Sequence, residues 1–507
     1  MRIPKSFFKK HNNKNRDIFI AYRLVHNCRF LVFGERQLQR ILDMKDYTTD
    51  MTIGSPVRHI IIFAIPTLIG NLFQQIYNIT DTIIVGRFVG ANALAAVGST
   101  SSITFLFFAL CNGIGSGGGI IASQFYGAHD YVKVKNCIVN TGLIMLIVPL
   151  LFGTIAFIFA PALLQLLNTP TDILEDAAMY IRYMSVSLLF VSLYNYLAAM
   201  LRALGDSKSP LYFLIISTIL NVFLDILFVY TFGMGIKGAA IATIISQFTA
   251  AVSCGIYARK VNTFFKLKKS DFIISAQMGY KVLRLGVPIS LQYALISISS
   301  MALQRVVNSY GTVVVAAFTA TCRIEQLIHQ PYATLGTSLS TYCGQNYGAK
   351  KIDRVYMGYK KGLLIMVVIS AVMLFIMQLF GGAITGMFVS ETDVISLGTM
   401  GLRITSWFYL ALGLIYVVRG VLTGMGDAFF ALFNGIVEVI GRFTIPILLT
   451  KHMGMGETGI WLSSGFVWIL SGVTAWLRER WITLRNKTQL REHGGSQKLM
   501  SLRSKLG

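Results

Sequence analysis

The sequence predicts an all-α integral membrane protein, with twelve transmembrane helices in two parallel six-helix lobes. Three observations lead there. Hydrophobic residues make up 54% of the 507 and only 13% are charged, against roughly 25% charged in soluble domains. Twelve stretches reach the ~20 mainly apolar residues that cross a hydrocarbon core. The chain also repeats its own words 221 residues apart. Gln124-x-Tyr126-Gly127-Ala128 returns as Gln345-x-Tyr347-Gly348-Ala349, Gly205-Asp206 as Gly426-Asp427, and Ala95-Ala96 as Ala316-Ala317. Gly90 returns as Gly311, and Pro66 as Pro288 one residue out of step. A duplicated apolar chain of this length is the plan of two membrane bundles facing each other.

In chain order, residues 1–50 hold eleven Lys/Arg and five acids without an amphipathic stripe. They read as a disordered basic tail, or as a start codon set upstream of the true one at Met44 or Met51. Spans 58–84, 92–122, 137–160, 176–203, 210–232 and 237–258 build an N-lobe over 51–258. The charged stretch 259–279 is a linker. Spans 280–307, 313–343, 360–381, 394–423, 428–450 and 457–477 build a C-lobe over 280–477. Residues 478–507 read as a basic tail, with eight basic residues and two acids.

Loop charge sets the direction. Arg259, Lys260, Lys266, Lys268, Lys269 and Lys281 lie between the lobes, and Lys350, Lys351, Arg354, Lys360 and Lys361 after span 8. Both groups fall on the side of the termini, while Asp172, Glu175, Asp176, Glu391 and Asp393 fall opposite. The positive-inside rule places both termini in the cytoplasm of a multi-pass plasma-membrane protein. Six spans per half bring the second lobe in from the same side as the first, so the repeats are parallel and not inverted. The net charge of +23 is then an orientation signal, and no nucleic-acid partner is expected.

Of the 22 acids, four lie inside spans and not at a span's first residue: Asp81, Asp225, Glu325 and Glu438. A carboxylate there is expensive and marks a cavity or a partner. Asp225 follows Asn221 by one helical turn, so both share a face. Thr243 in the next span adds a hydroxyl. Carboxylate, amide and hydroxyl oxygens suit a hard cation, and a carboxylate in a dry site can instead hold a proton. The structural alternative is hydrogen bonding between helices; for Asp81 it is a place in the outer headgroup zone. Asn434 and Glu438 repeat the i, i+4 pair at an offset of 213 instead of 221. Arg442, one turn on, is positioned to neutralise Glu438 in a static ion pair. Glu325 has Arg323 and, one turn away, His329 as candidate partners. Arg305 and Arg419 have no assigned partner. Pro66 and Pro288 kink the first span of each lobe, either statically or as bends that change during a functional cycle.

Other patterns carry no chemistry. Gly113-x-Gly115-x-Gly117-Gly118 matches a dinucleotide fingerprint by letter, but it sits inside an apolar span, where close helix packing is the reading. There is no phosphate-binding loop, no transition-metal site spacing and no nucleophile–base motif, so enzyme activity and cofactors are not expected. The six Cys (28, 111, 137, 254, 322 and 343) lack paired spacing and read as small buried thiols.

The stretch Met51–Gly98, from M-T-I-G-S-P through I-P-T-L-I-G-N-L-F-Q-Q-I-Y-N-I-T-D-T-I-I-V-G-R-F-V-G-A-N-A-L-A-A-V-G, resembles the opening of a multidrug and toxic compound extrusion (MATE) transporter of the bacterial branch. The Q-x-Y-G-A words, Leu201-Arg-Ala-Leu-Gly-Asp206, Asn221-x-x-x-Asp225 and Gly238-Ala-Ala-Ile-Ala-Thr243 fit it too, so the likeness covers about 51–480. The resemblance implies two lobes around a central cleft that opens alternately to either side. It implies export of amphipathic, often cationic drug-like molecules against inward Na⁺ or H⁺. It makes Asp81, Asn221, Asp225 and Thr243 the coupling-cation site. The C-lobe acids vary within that family, so Glu325, Asn434 and Glu438 are carried over only as a possible coupling or substrate site. The expected partners are small molecules and the bilayer, and the expected state is a monomer. Two other transporter classes are the alternatives. A lipid-linked saccharide flippase of the same superfamily would have a more basic cleft. A major facilitator would have a basic loop after span 2, where this chain reads Q-F-Y-G-A-H-D-Y-V-K-V-K-N.

Overall fold

The computed structural model describes residues 47–503 apart from 168, with side chains as far as 482 apart from 91. The expectations for residues 1–46, including a disordered tail and a later start, lie outside the described residues.

The described residues form thirteen α-helices and no strand. In order they are α1 (Pro56–Phe88), α2 (Ala91–Gly127), α3 (Tyr131–Leu166), α4 (Thr171–Ala203), α5 (Lys208–Asp225), α6 (Gly235–Val261), α7 (Ala276–Asn308), α8 (Thr312–Gly348), α9 (Ile352–Gly386), α10 (Thr392–Ser406), α11 (Tyr409–Gly424), α12 (Ala428–Ile447) and α13 (Thr458–Arg503). Ten of them, α1–α7, α9, α12 and α13, are long and apolar enough to cross a membrane, and α10 with α11 makes an eleventh span bent by 53°. This break at Trp407–Phe408 divides what the sequence reads as one span, 394–423. α8 is the twelfth. It has the length, at 37 residues, but its buried Thr321, Thr334, Ser338, Thr341, Gln345 and Asn346 lower its hydropathy, because it packs on both halves of the protein and not mainly on lipid. The last helix continues through the stretch read as a tail, which is rich in the good helix formers Arg, Lys, Gln and Leu.

The linker is shorter than expected and ordered. Two 3₁₀ turns, Thr263–Phe265 and Lys269–Asp271, join α6 to α7. Asn140 of α3 donates to Ile273 O (2.9 Å) and accepts from Ser275 N–H (2.9 Å), pinning the linker to the N-lobe. Asp271 accepts from Lys268 N–H (2.9 Å) and Lys135 Nζ (3.1 Å), and these two donors hold its carboxyl below the usual range.

The repeat extends to the backbone. Positive φ occurs at Gly90 and Gly311, His129 and Lys350, Gly205 and Gly426, Gly233 and Gly454, and Gly235 and Gly456, each pair 221 apart. The Gly-Asp word has a local reason. Gly205 (φ 86°) ends α4 in a left-handed conformation, and Asp206 then caps α5 by accepting from Lys208 and Ser209 N–H (3.1 and 3.0 Å). Both α5 and α12 close in a π-helical turn, at Ile226–Thr231 and Leu448–His452.

The two Q-x-Y-G-A words meet each other. Gly127 lies directly against the Gln345 carbonyl, and Gly348 against that of Gln124. The side chains reciprocate, with Gln124 Nε2 donating to Gly424 O (2.8 Å) and Gln345 Nε2 to Ala203 O (3.0 Å). The glycine run of α2 has the packing role expected of it. A Cβ on Gly117 would lie 2.7 Å from Gly286 Cα of α7, and one on Gly113 2.6 Å from Ser290 Cα. No alanine fits at Gly127 without separating the halves, so Gly127→Ala is expected to lower stability by about 1–3 kcal/mol, as overpacking does. Gly98→Ala, where a Cβ meets nothing within 4 Å, should leave it unchanged. Thermal unfolding in detergent reads both. The five cysteines among the described residues are unpaired.

Candidate functional site

The N-lobe brings together all four residues expected to bind the coupling cation. α1 supplies Asp81, α5 supplies Asn221 and Asp225, and α6 supplies Thr243. Asp225 is the last residue of α5 before the π-helical turn, a local widening common at functional sites. Asn221 and Asp225 are wholly buried. Asp81 is half-buried, and it lies within electrostatic reach of Asp225. Apolar side chains and small residues wall the lobe here, among them Ile84, Val85, Val229, Ala239 and Ala240.

Polar bonding in this site is incomplete. Asp81 Oδ1, both side-chain polar atoms of Asn221 and both carboxylate oxygens of Asp225 are buried without a hydrogen-bond partner. A buried polar group left this way costs about 1–3 kcal/mol, and native proteins pair nearly all of them. Five such atoms in one place form a donor set of the kind that a hard cation, or protons on the carboxyls, would satisfy. Three residues beyond the expected set complete the surroundings. Tyr77 precedes Asp81 by one turn, its hydroxyl lies 3.2 Å from Thr243 Oγ1, and both carboxylates and Gln247 face it. Tyr180 of α4 also faces the two acids. The i, i+4 spacings Tyr77–Asp81 and Thr243–Gln247 are the sequence signal that could have found two of these.

The C-lobe is built differently. Glu438 pairs with Arg419 of α11 (Nη2–Oε1 3.0 Å), not with Arg442. Arg419 Nη2 also donates to Asn434 Oδ1 (2.9 Å), and the Gln292 amide, turned oxygen-inward, accepts from Arg419 Nε (3.1 Å) and Nη1. Ser471 Oγ lies 3.0 and 3.1 Å from Asn434 Oδ1 and Glu438 Oε1. Asn434 Nδ2 donates to Ser471 O (2.9 Å) and Thr474 Oγ1 (3.1 Å). Asn434 and Glu438 are therefore satisfied by protein partners.

Glu325 lies apart from that network and faces Thr405 and Arg442. His329 does not pair with it. Its Nδ1 lies 3.3 Å from the Tyr416 hydroxyl, and its ring meets Trp468 edge-on at 5.8 Å. Arg442 stands one repeat length after Asn221, so the C-lobe carries a fixed cation at the position where the N-lobe has an amide. Pro66 is buried within α1, below Asp81 on the same helix, and Pro288 sits within α7.

A family model described as MatE matches residues 66–227 and again 288–445. The two matches together span well over half of the chain. This protein belongs to the MatE family. The paired match also follows the duplication, with one copy in each half. "Probable multidrug resistance protein YpnP" of Bacillus subtilis is 32% identical over 446 residues, 86% of this chain and 97% of that protein. Multidrug export protein MepA of Staphylococcus aureus (strain MW2) is 25% identical over 434 residues, 82% of this chain and 92% of MepA. Crystal structures of a MATE protein in bent and in straight conformations share the fold. Both have a TM-score of 0.82 at 23% identity over 88% of this chain, and 99% and 100% of theirs. Like its family, this MatE protein is a transporter and not an enzyme, and it has the twelve-helix fold of its neighbours.

Proposed function

We propose that this MatE transporter exports amphipathic, often cationic drug-like molecules across the plasma membrane in exchange for inward Na⁺ or H⁺. The observation that carries the proposal is the cluster of buried Asp81, Asn221 and Asp225 atoms in the N-lobe that have no protein hydrogen-bond partner. Relatives named for multidrug export and resistance support the substrate class.

Both termini face the cytoplasm, the lobes span 51–258 and 280–477, and the protein acts as a monomer. An ion arriving from outside neutralises Asp81 and Asp225. That favours one bend of α1 around Pro66 and one arrangement of the lobes, and substrate leaves outward. Coupling requires that the ion bind the two arrangements unequally, because equal affinity shifts nothing. The acidic N-lobe pair weighs against a lipid-linked saccharide flippase.

The test is uptake of a fluorescent lipophilic cation into inside-out vesicles, under an imposed sodium gradient alone and then a pH gradient alone. One gradient should drive accumulation. Equal accumulation with neither gradient present would remove the antiport reading.

A further inference from the structure

Residues 47–54 cross from one half of the protein to the other before α1 begins. On the N-lobe side, Thr49 N–H donates to Leu204 O (3.0 Å) and Asn262 Nδ2 to Thr48 Oγ1 (3.2 Å). The Lys208 ammonium lies 5.2 Å from the Tyr47 ring centre. On the C-lobe side, Gln345 Oε1 accepts from Met51 N–H (2.8 Å). Arg354 Nη2 donates to the carbonyls of Met51 and Gly54, each at 3.0 Å. Lys351 Nζ donates to Thr52 O (3.0 Å) and Oγ1 (3.2 Å). The Met51 side chain, 1% exposed, is packed with Ile60 and Phe63 into the core of the C-lobe.

Three features make this more than a passive connection. The Gln345 that holds the strap also donates to Ala203 O of the N-lobe, so one side chain ties strap, N-lobe and C-lobe together. The bonds from Arg354 and Lys351 are charge-assisted and so about twice as strong as neutral ones. The strap also runs directly into α1, the helix that carries Pro66 and Asp81. Any motion of α1 pulls on it, and separation of the lobes at this end must break it.

We propose that residues 47–54 are a clasp that keeps this end of the transporter closed, with Gln345, Lys351 and Arg354 as the positioning residues that hold it. Release of the clasp accompanies the movement of α1 and lets the end open. The proposal rests on the alternating-access reading given above.

Ser123 reports the state of this end. It is 1% exposed, bonds only within its own helix and is pressed against Gly344 of the other lobe. In a chain with its six native cysteines replaced by alanine and carrying Ser123→Cys, maleimide is applied from the face that bears the strap. Arg354→Ala should raise the labelling rate about tenfold, the factor that loss of a charge-assisted hydrogen bond carries. Arg354→Lys should restore part of the protection. Lys351→Ala removes an exposed side chain whose bonds go to the strap alone, so it leaves the fold intact, and it should raise labelling about threefold. Labelling unchanged from the parent chain in both Arg354→Ala and Lys351→Ala would overturn the clasp. If labelling rises while transport responds to no cation gradient, the clasp stands and the antiport reading falls.

Discussion

Asp225→Asn should reduce gradient-driven efflux to the uncoupled background, a loss of about tenfold or more at matched membrane expression. The substitution is nearly isosteric and its site is fully buried, so the packing survives while the chargeable group is lost. Moving a two-state protein from about 1:99 to about 99:1 needs roughly 10⁴-fold differential affinity, and a neutral amide beside Asn221 has no such preference for a cation. Asp81→Asn should act in the same direction, since Asp81 is the second acid of the same site. Stability separates this outcome from misfolding. An unpaired buried carboxylate is unfavourable, so the Asn variants should melt in detergent at or above the parent temperature while efflux is lost. Normal efflux from both variants would contradict the assignment.

Arg419→Ala should be among the most destabilising single substitutions in the protein. Arg419 and Glu438 have side chains only 14% and 8% exposed, and Asn434 and Gln292 also bond the guanidinium. Removing one partner of a buried pair leaves an uncompensated charge and costs about 3–5 kcal/mol. Glu438→Gln in the same chain should recover much of that loss, as coupled residues do in a double-mutant cycle. Thermal melts of the two single variants and the double variant give the coupling directly. Additive losses would show that the pair does not act as a unit.

The sequence made the architecture legible because lipid imposes simple rules. Long apolar runs had to be spans, basic loops had to share a face, and words repeated at one offset had to be equivalent elements. The same rules find α8 as span 313–343 although its buried threonines and amides face protein on both sides, but they do not reveal the 53° break at Trp407–Phe408. The N-lobe site was legible because Asn221 and Asp225 share one helix face, and charge inside a span is conspicuous. The partner of Glu438 was not. Spacing along one helix nominated Arg442, whereas the real partner lies on α11, 19 residues earlier in the chain. Which arginine reaches a carboxylate across a helix crossing depends on how α11 and α12 pack, and no local pattern encodes that. The Q-x-Y-G-A words were visible as repeats, but their reciprocal contact across the two halves emerges only in three dimensions.

The differences between the copies carry the functional argument. Position for position, Asn221 becomes Arg442 and Asp225 becomes Pro446 in the second copy, while Asp81 becomes Ala302. The C-lobe thus has no acid at these positions and a permanent cation at one of them, and its acid on α12, Glu438, is bonded to protein. The N-lobe carries unpartnered carboxylates, whereas Glu438 in the C-lobe is bonded to Arg419.

The most direct test is to measure ion movement evoked by substrate. In proteoliposomes with no imposed gradient, adding a lipophilic cation to one side should drive Na⁺ or H⁺ the opposite way, and Asp225→Asn should abolish that ion movement. Substrate flux with no counter-movement of either ion in the parent protein, or an undiminished ion flux in Asp225→Asn, would contradict the account.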